Sequence, residues 1–311
     1  MSYKILVIKL GAFGDFVQAM GAFSAIRKYH YDSELVLMTS SYLAEFAACT
    51  PWFDTVWVDE KPKLYNIGGI FRLRNRLRKS KLSRIYDLQT SYRSSLYYKS
   101  FWPAPAPEWS GISPGCSHFH SNPERDKLHT VDRLEDQLLE AGVMLPAPPD
   151  FSWVNKDISK FKIIGPYAIL VPGGAKHRIE KRWSKQHYRS LAKKLSEKGI
   201  VPLVIGTELE KGLGEFILEK VDSGMNMAGT TSIYDLCALG ANALITIGND
   251  TGPMHLFGAQ NIPAVVLFSN ASDPKLCGQR GKNVTILQRE NLQDLDVDIV
   301  MNIVSQVNQT R

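Results

Sequence analysis

Ile247-Gly248-Asn249-Asp250-Thr251-Gly252-Pro253-Met254-His255 decides how this 311-residue chain is read. Before it runs Ala243-Leu244-Ile245-Thr246-Ile247, apolar, β-branched and short enough to be a buried strand. After it, Met254, Leu256, Phe257 and Ala259 begin a helix, with Asp250 or Thr251 placed to cap it and Pro253 in its first turn. A strand that breaks at Gly-Asn-Asp-Thr-Gly and restarts as a helix presents free backbone N–H groups at the carboxyl edge of a sheet. Ligands bind there in open α/β sheets, and a helix N-terminus attracts phosphate. On spacing alone the stretch is equally an ordinary capped turn, and the rest of the chain has to separate the two.

A related junction opens the sequence. Lys4–Leu10 predicts a parallel strand, Gly11-Ala12-Phe13-Gly14-Asp15 a turn, and Phe16, Val17, Met20, Phe23 and Ile26 recur at helical spacing. The turn lacks the third glycine of a dinucleotide fingerprint and the Gly-Lys-Ser/Thr of a P-loop, so neither NAD nor a Walker-type site is expected. Asp15 stands where the loop becomes helix; taken alone it is a first-turn acid favoured by the helix dipole. Further strands are predicted at residues 34–39, 55–58 and 84–88, alternating with helical patterns in βαβ fashion. Residues 91–113 read as irregular, with prolines at 103, 105 and 107. Gly111-Ile112-Ser113-Pro114-Gly115 spells a hydrolase nucleophile elbow, but no helix pattern follows it. Cys116, His118, His120 and His129 do not have zinc-ligand spacing, and no metal is expected.

After a helix at 130–141, Leu145-Pro146-Ala147-Pro148-Pro149-Asp150 is the clearest linker. The second half repeats the architecture. Strands at 167–171, 201–205, 264–268 and 284–287 flank the opening stretch, and a glycine-rich turn at 172–177 leads into Arg178, Lys181, Arg182 and Lys185. The expectation is an α/β chain of two Rossmann-like domains facing across a cleft: 1–155, 156–290, and a C-terminal helix over 291–311.

Four cysteines without paired spacing suit reduced thiols, and no apolar run approaches the roughly 20 residues that span a bilayer, so a cytoplasmic protein is expected. The net charge of +6 is unevenly placed. Lys61, Lys63, Arg72, Arg74, Arg76, Arg78, Lys79, Lys81 and Arg84 are nine cations in a window without an acid, which leaves −3 for everything else. One basic patch points to an anionic partner: a phospholipid surface, a phosphorylated substrate or nucleic acid. Only Tyr65 and Phe71 interleave with it, which speaks against nucleic acid.

Strand-end loops at 11–15, 173–181, 206–210 and 248–255 bring glycines and polar groups to the expected cleft. A cationic loop beside a helix N-terminus would hold a diphosphate, and an acid on the other domain could act as general base. That division of labour fits transfer of a group from a nucleotide donor to a hydroxyl.

Lys9-Leu10-Gly11-Ala12-Phe13-Gly14-Asp15, the Gly-Gly-Ala-Lys turn with Lys181-Arg182-Trp183, and Gly248-Asn249-Asp250-Thr251-Gly252-Pro253-Met254-His255 together resemble glycosyltransferase family 9, the heptosyltransferases of bacterial lipopolysaccharide assembly. The resemblance implies a GT-B fold, an ADP-heptose donor, an acceptor hydroxyl on the lipopolysaccharide inner core, inversion at the anomeric carbon, and neither metal nor organic cofactor. It implies Asp15 as general base, Lys181 at the donor phosphates or sugar, and Asp250 on sugar hydroxyls. Thr251 and Gly252 would give backbone N–H groups to the diphosphate, with His255 near the same pocket, Glu208 or Glu210 on the ribose, and the last helix crossing back onto the first domain. Arg72, Arg74, Arg76 and Arg78 would meet an anionic, lipid-linked core saccharide at the inner face of the cytoplasmic membrane. The alternatives are a family member with another nucleotide-sugar donor, or a GT-B sugar-nucleotide epimerase.

Overall fold

The apolar runs of the sequence become strands of two parallel sheets in the computed structural model, which describes residues 3–63, 65–144, 149–174 and 178–309. The chain forms two compact units, Met1–Pro149 and Asp150–Arg311, so residues 150–155 go with the second rather than the first. Linker residues 145–148 lie outside the described residues.

The first unit runs β1 (Lys4–Ile8), α1 (Phe13–Gln18), α2 (Met20–Tyr29), β2 (Glu34–Thr39), α3 (Ser41–Ala48), β3 (Thr55–Val58), α4 (Ile67–Lys79), β4 (Arg84–Asp87), α5 (Tyr92–Lys99), β5 (Glu108–Gly111), β6 (His118–Phe119) and α6 (Thr130–Glu140). Its strand order is β3-β2-β1-β4-β5-β6, all parallel. Strands buried on both faces read as continuous apolar runs rather than alternations, and β1 and β2 are buried at every position but the first. Leu6, Ile8, Val36, Met38, Ile85 and Trp109 form the core, each large side chain contributing roughly 1.5–3 kcal/mol on full burial. The stretch read as irregular is not so: α5 starts at Ser91, whose hydroxyl accepts from Ser94 N, and β5 follows the prolines.

The second unit runs β7 (Tyr167–Val171), α7 (Lys185–Glu197), β8 (Val201–Val204), α8 (Lys211–Leu218), β9 (Met225–Asn226), α9 (Ile233–Asn242), β10 (Ile245–Asn249), α10 (Gly252–Ala259), β11 (Ala264–Phe268), α11 (Pro274–Cys277), β12 (Val284–Gln288) and α12 (Val297–Gln309). The order β12-β11-β10-β7-β8-β9 is the first unit's order again, traced from the other edge. Both are doubly wound sheets of Rossmann type. The last helix packs within this unit: Val297, Val300, Met301 and Val304 share a core with Leu191 and Leu195 of α7.

In such a sheet the strand order reverses at one point, leaving a crevice outside the carboxyl ends of the two strands there. That point lies between β1 and β4, where Ile8 pairs with Asp87, and between β7 and β10, where Val171 pairs with Gly248. The residues following β1, β7 and β10 are the glycine-bearing turns already singled out, while β4 runs into Leu88-Gln89-Thr90-Ser91, which has no glycine.

Candidate active site

In the second unit the edge is built around Asn249, the last residue of β10, which is fully buried. Its Oδ1 accepts from Trp183 N at 3.0 Å and from the Tyr188 hydroxyl at 3.1 Å. Its Nδ2 donates to the carbonyls of Pro172, 2.8 Å, and Gly173, 3.1 Å. One side chain thus ties β10 to the loop after β7 and to the start of α7. Asn249 was not picked out as functional; its bonds join positions more than 60 residues apart, and no local spacing reveals them.

Asp250 follows. Its Oδ2 lies 2.7 Å from Lys181 Nζ and accepts from Ser272 Oγ at 2.9 Å, while Oδ1 accepts from Gln279 Nε2 at 3.1 Å. Burial pushes this carboxyl's pKa up, but the Lys181 ammonium and the bonds from Gln279 and Ser272 outweigh it and hold it below the usual aspartate value. Thr251 takes the N-cap position of α10 in an extended conformation, yet its hydroxyl donates to Asn249 O (3.1 Å) and makes no cap bond. The expected side-chain cap from Asp250 or Thr251 is therefore absent, because one carboxylate is taken by Lys181 and the hydroxyl by a carbonyl. The helix begins at Gly252-Pro253 without a capping side chain, an arrangement that suits an anion. His255 is buried in α10.

Arg182 donates to Gly174 O at 2.7 Å, bracing the glycine turn, whose residues 175–177 lie outside the described residues. Glu210 closes the neighbouring loop by accepting from Thr207 N at 2.8 Å and from its hydroxyl. Glu208 is exposed, 3.5 Å from Lys211, and leans over Gly229, where a Cβ would come within 2.2 Å of its Oε2. Of the two glutamates, Glu208 is the exposed one.

In the first unit Asp15 sits on the first turn of α1, half-buried, its Oδ2 accepting from Ala12 N at 3.1 Å. Gly11 before it has φ +120°, and a Cβ there would stand 2.7 Å from the Tyr42 hydroxyl. A cavity of about 310 Å³ opens beside this turn, lined by Gly11, Ala12, Tyr42, Lys61, Ser91 and Arg93 among others. At the adjacent ends of β1 and β4 stand two buried ionisable groups, Lys9 and Asp87, that no motif marks. Burial lowers the pKa of Lys9, whose Nζ donates to Leu88 O at 3.1 Å. Burial likewise raises Asp87 to about 6, against bonds from Ser94, Thr90 and Gln89 and the charge of Lys9.

The four arginines of α4 do not form one patch. An every-second-residue spacing on a helix sends alternate side chains to different faces. Arg72 lies 3.7 Å from Glu60, and Arg76 stacks 4.2 Å over Trp57. Arg74 donates to the carbonyls of Ser100 and Trp102, both at 2.8 Å, and Arg78 is exposed. Of the rejected motifs, Ser113 is buried after β5 with no helix behind it, His120 Nε2 donates to Asp136 Oδ2 at 2.8 Å, and His129 caps α6.

The model of glycosyltransferase family 9 (heptosyltransferase) matches residues 70–300. Lipooligosaccharide heptosyltransferase 2 of Haemophilus ducreyi is 26% identical over 321 residues, 92% of this chain and 88% of that one. The corresponding Haemophilus influenzae enzyme is 31% identical over a shorter match, 32% of this chain and 30% of that protein. Among solved structures, Escherichia coli ADP-heptose lps heptosyltransferase II superposes with a TM-score of 0.83 at 21% identity, covering 99% of both chains. The fold is α/β of the GT-B type.

Proposed function

Since this chain belongs to glycosyltransferase family 9 and is a glycosyltransferase, we propose that it moves a heptose from ADP-heptose to a hydroxyl of the lipopolysaccharide inner core, with inversion. The reading draws on relatives named as lipopolysaccharide heptosyltransferases and on a structural neighbour named as the E. coli heptosyltransferase WaaC with ADP (TM-score 0.79, 17% identity, 98% of this chain and 99% of that one). The observation that carries it is the Lys181–Asp250 pair beside the uncapped start of α10, at the point where the second sheet reverses its strand order.

In this account Thr251 and Gly252 offer backbone N–H groups to the diphosphate, and Lys181 offsets the charge that grows as it leaves. Asp250 holds sugar hydroxyls, Glu208 the ribose, and His255 borders the same pocket. Asp15 takes the proton from the acceptor hydroxyl, whose oxygen attacks the anomeric carbon. The bond to the diphosphate breaks on the opposite face, and ADP departs with the electron pair. The enzyme works at the inner face of the cytoplasmic membrane, held peripherally through the basic helix α4; no described helix is long and apolar enough to cross a membrane.

Thermal unfolding with ADP, UDP and GDP and their sugars tests the donor. ADP-heptose at about 100 times its Kd should stabilise the protein by about 2.7 kcal/mol. A shift with UDP- or GDP-sugars alone would replace the donor.

A further inference from the structure

Along the sequence the window from Lys61 to Arg84 is chiefly a run of positive charge. The fold adds an apolar component to it. Residues 67, 71, 74 and 78 of α4 recur at the i, i+4, i+7, i+11 spacing and share one helix face, while Arg72 and Arg76 fall well around the helix from it. On that face Ile67 is 63% and Phe71 53% exposed. Arg74 is turned to the carbonyls of Ser100 and Trp102, which fixes the backbone of Trp102, 79% exposed, beside the same helix. Arg78 and Lys79 are exposed at its far end, and Tyr65, 77% exposed, precedes it with Lys63. No acid occurs from residue 61 to 84.

We propose that this face of α4 rests on an anionic phospholipid surface, Ile67, Phe71 and Trp102 entering the interface and Arg78 meeting the headgroups. Aromatic side chains settle at the depth of the headgroups, and an interfacial helix combines such anchors with flanking cations. Charge selects this occupant over a second copy, because residues 61–84 contain no acid that could meet Arg78 across a self-complementary contact. The inference deepens the proposed peripheral attachment and reassigns its groups: Arg72 and Arg76 lie around the helix from this face, near Glu60 and over Trp57, and Arg74 is bonded to two carbonyls, so Arg78 is the arginine left to the lipid face. Vesicle binding requires neither donor nor acceptor, so it can fail while sugar transfer stands, and the reverse.

The test is co-sedimentation of the whole protein with vesicles of equal parts phosphatidylethanolamine and phosphatidylglycerol, against vesicles of phosphatidylcholine alone. The protein should partition onto the first and much less onto the second. The double variant I67S/F71S should weaken partitioning roughly tenfold or more at low and high salt alike, since it removes buried apolar area. R78Q should weaken it about fivefold at low ionic strength and little at high salt. Lys193→Gln, an exposed cation on α7, should change nothing. Binding should also shift the tryptophan emission to the blue in wild type and less in W102F, a readout that remains if the double variant fails to fold. Absence of binding to the anionic vesicles overturns the proposal. So does binding that I67S/F71S leaves unchanged, or a change in oligomeric state without a change in partitioning, which would make the face a self-association surface.

Discussion

Lys181 Nζ lies 2.7 Å from Asp250 Oδ2, joining the short turn before α7 to the loop after β10. The two residues are 69 positions apart, and both stand at the carboxyl edge of the second sheet. The contact leaves the lysine partly exposed and the carboxylate almost wholly buried, so this is a fixed ion pair open on its ammonium side.

Lys181→Met should weaken ADP-sugar binding at least tenfold, about 1.4 kcal/mol, as read by titration calorimetry. Asp250→Asn should also destabilise the protein. The double variant should lose less than the sum of the two by about 1–3 kcal/mol, because neither then strands a charge. Additive losses in urea unfolding would show that the pair is not coupled.

Asn249→Ala should be among the most damaging single changes. It leaves Trp183 N–H and the carbonyls of Pro172 and Gly173 without their partner, each orphan costing about 1–3 kcal/mol. The expected loss is at least about 3 kcal/mol. Asn249→Asp keeps the acceptor bonds but turns an oxygen towards two carbonyls, so its deficit should shrink as pH is lowered. A loss below 1 kcal/mol for the alanine variant would contradict the role assigned to this side chain.

Asp87 makes a prediction about pH. Burial raises it from 3.8 to about 6, so between those values the native chain holds a proton that the unfolded chain has released. Stability from this group therefore falls as pH rises through that window, and above about pH 6 the ionised carboxyl costs about 3 kcal/mol. Asp87→Asn stays neutral. Relative to wild type its unfolding free energy should rise by about 2–3 kcal/mol between pH 4 and pH 7. A difference that does not move with pH would rule this out.

Gly11→Ala combines a left-handed φ of +120° with a Cβ 2.7 Å from the Tyr42 hydroxyl. Strain and overlap together should cost about 2–4 kcal/mol. Adding Tyr42→Phe removes the overlapping atom and should recover part of the loss, the dihedral strain remaining. Full recovery, or none, in thermal unfolding would show that only one of the two effects operates.

These particular residues also mark how far the sequence could be read. The strands β1, β2, β7, β10 and β11 are legible because burial on both faces demands unbroken apolar runs, and the loops between strand and helix follow from the glycines after them. β5, β6 and β9 escape that reading, since Glu108-Trp109-Ser110-Gly111 and two-residue pairs carry no such run. The prolines at 103–107 hid α5, whose start is set by Ser91 and Ser94 rather than by apolar spacing. Lys181 and Asp250 were legible as motif residues. Their bonds to one another, to Gln279 and to Ser272 were not, because pairing across 22 to 69 residues depends on the sheet order. The arginines of α4 misled for a simple reason: counted along the chain they are neighbours, but around a helix they diverge.

The most direct measurement is turnover of Asp15→Asn with ADP-heptose and a lipopolysaccharide core acceptor, with donor affinity followed in parallel. The account predicts that kcat falls about 10²–10⁴-fold, the usual worth of a general base, while donor Kd changes by less than about threefold. A fall of less than about tenfold, or a loss that lies wholly in donor binding, would contradict the assignment of Asp15 as the base.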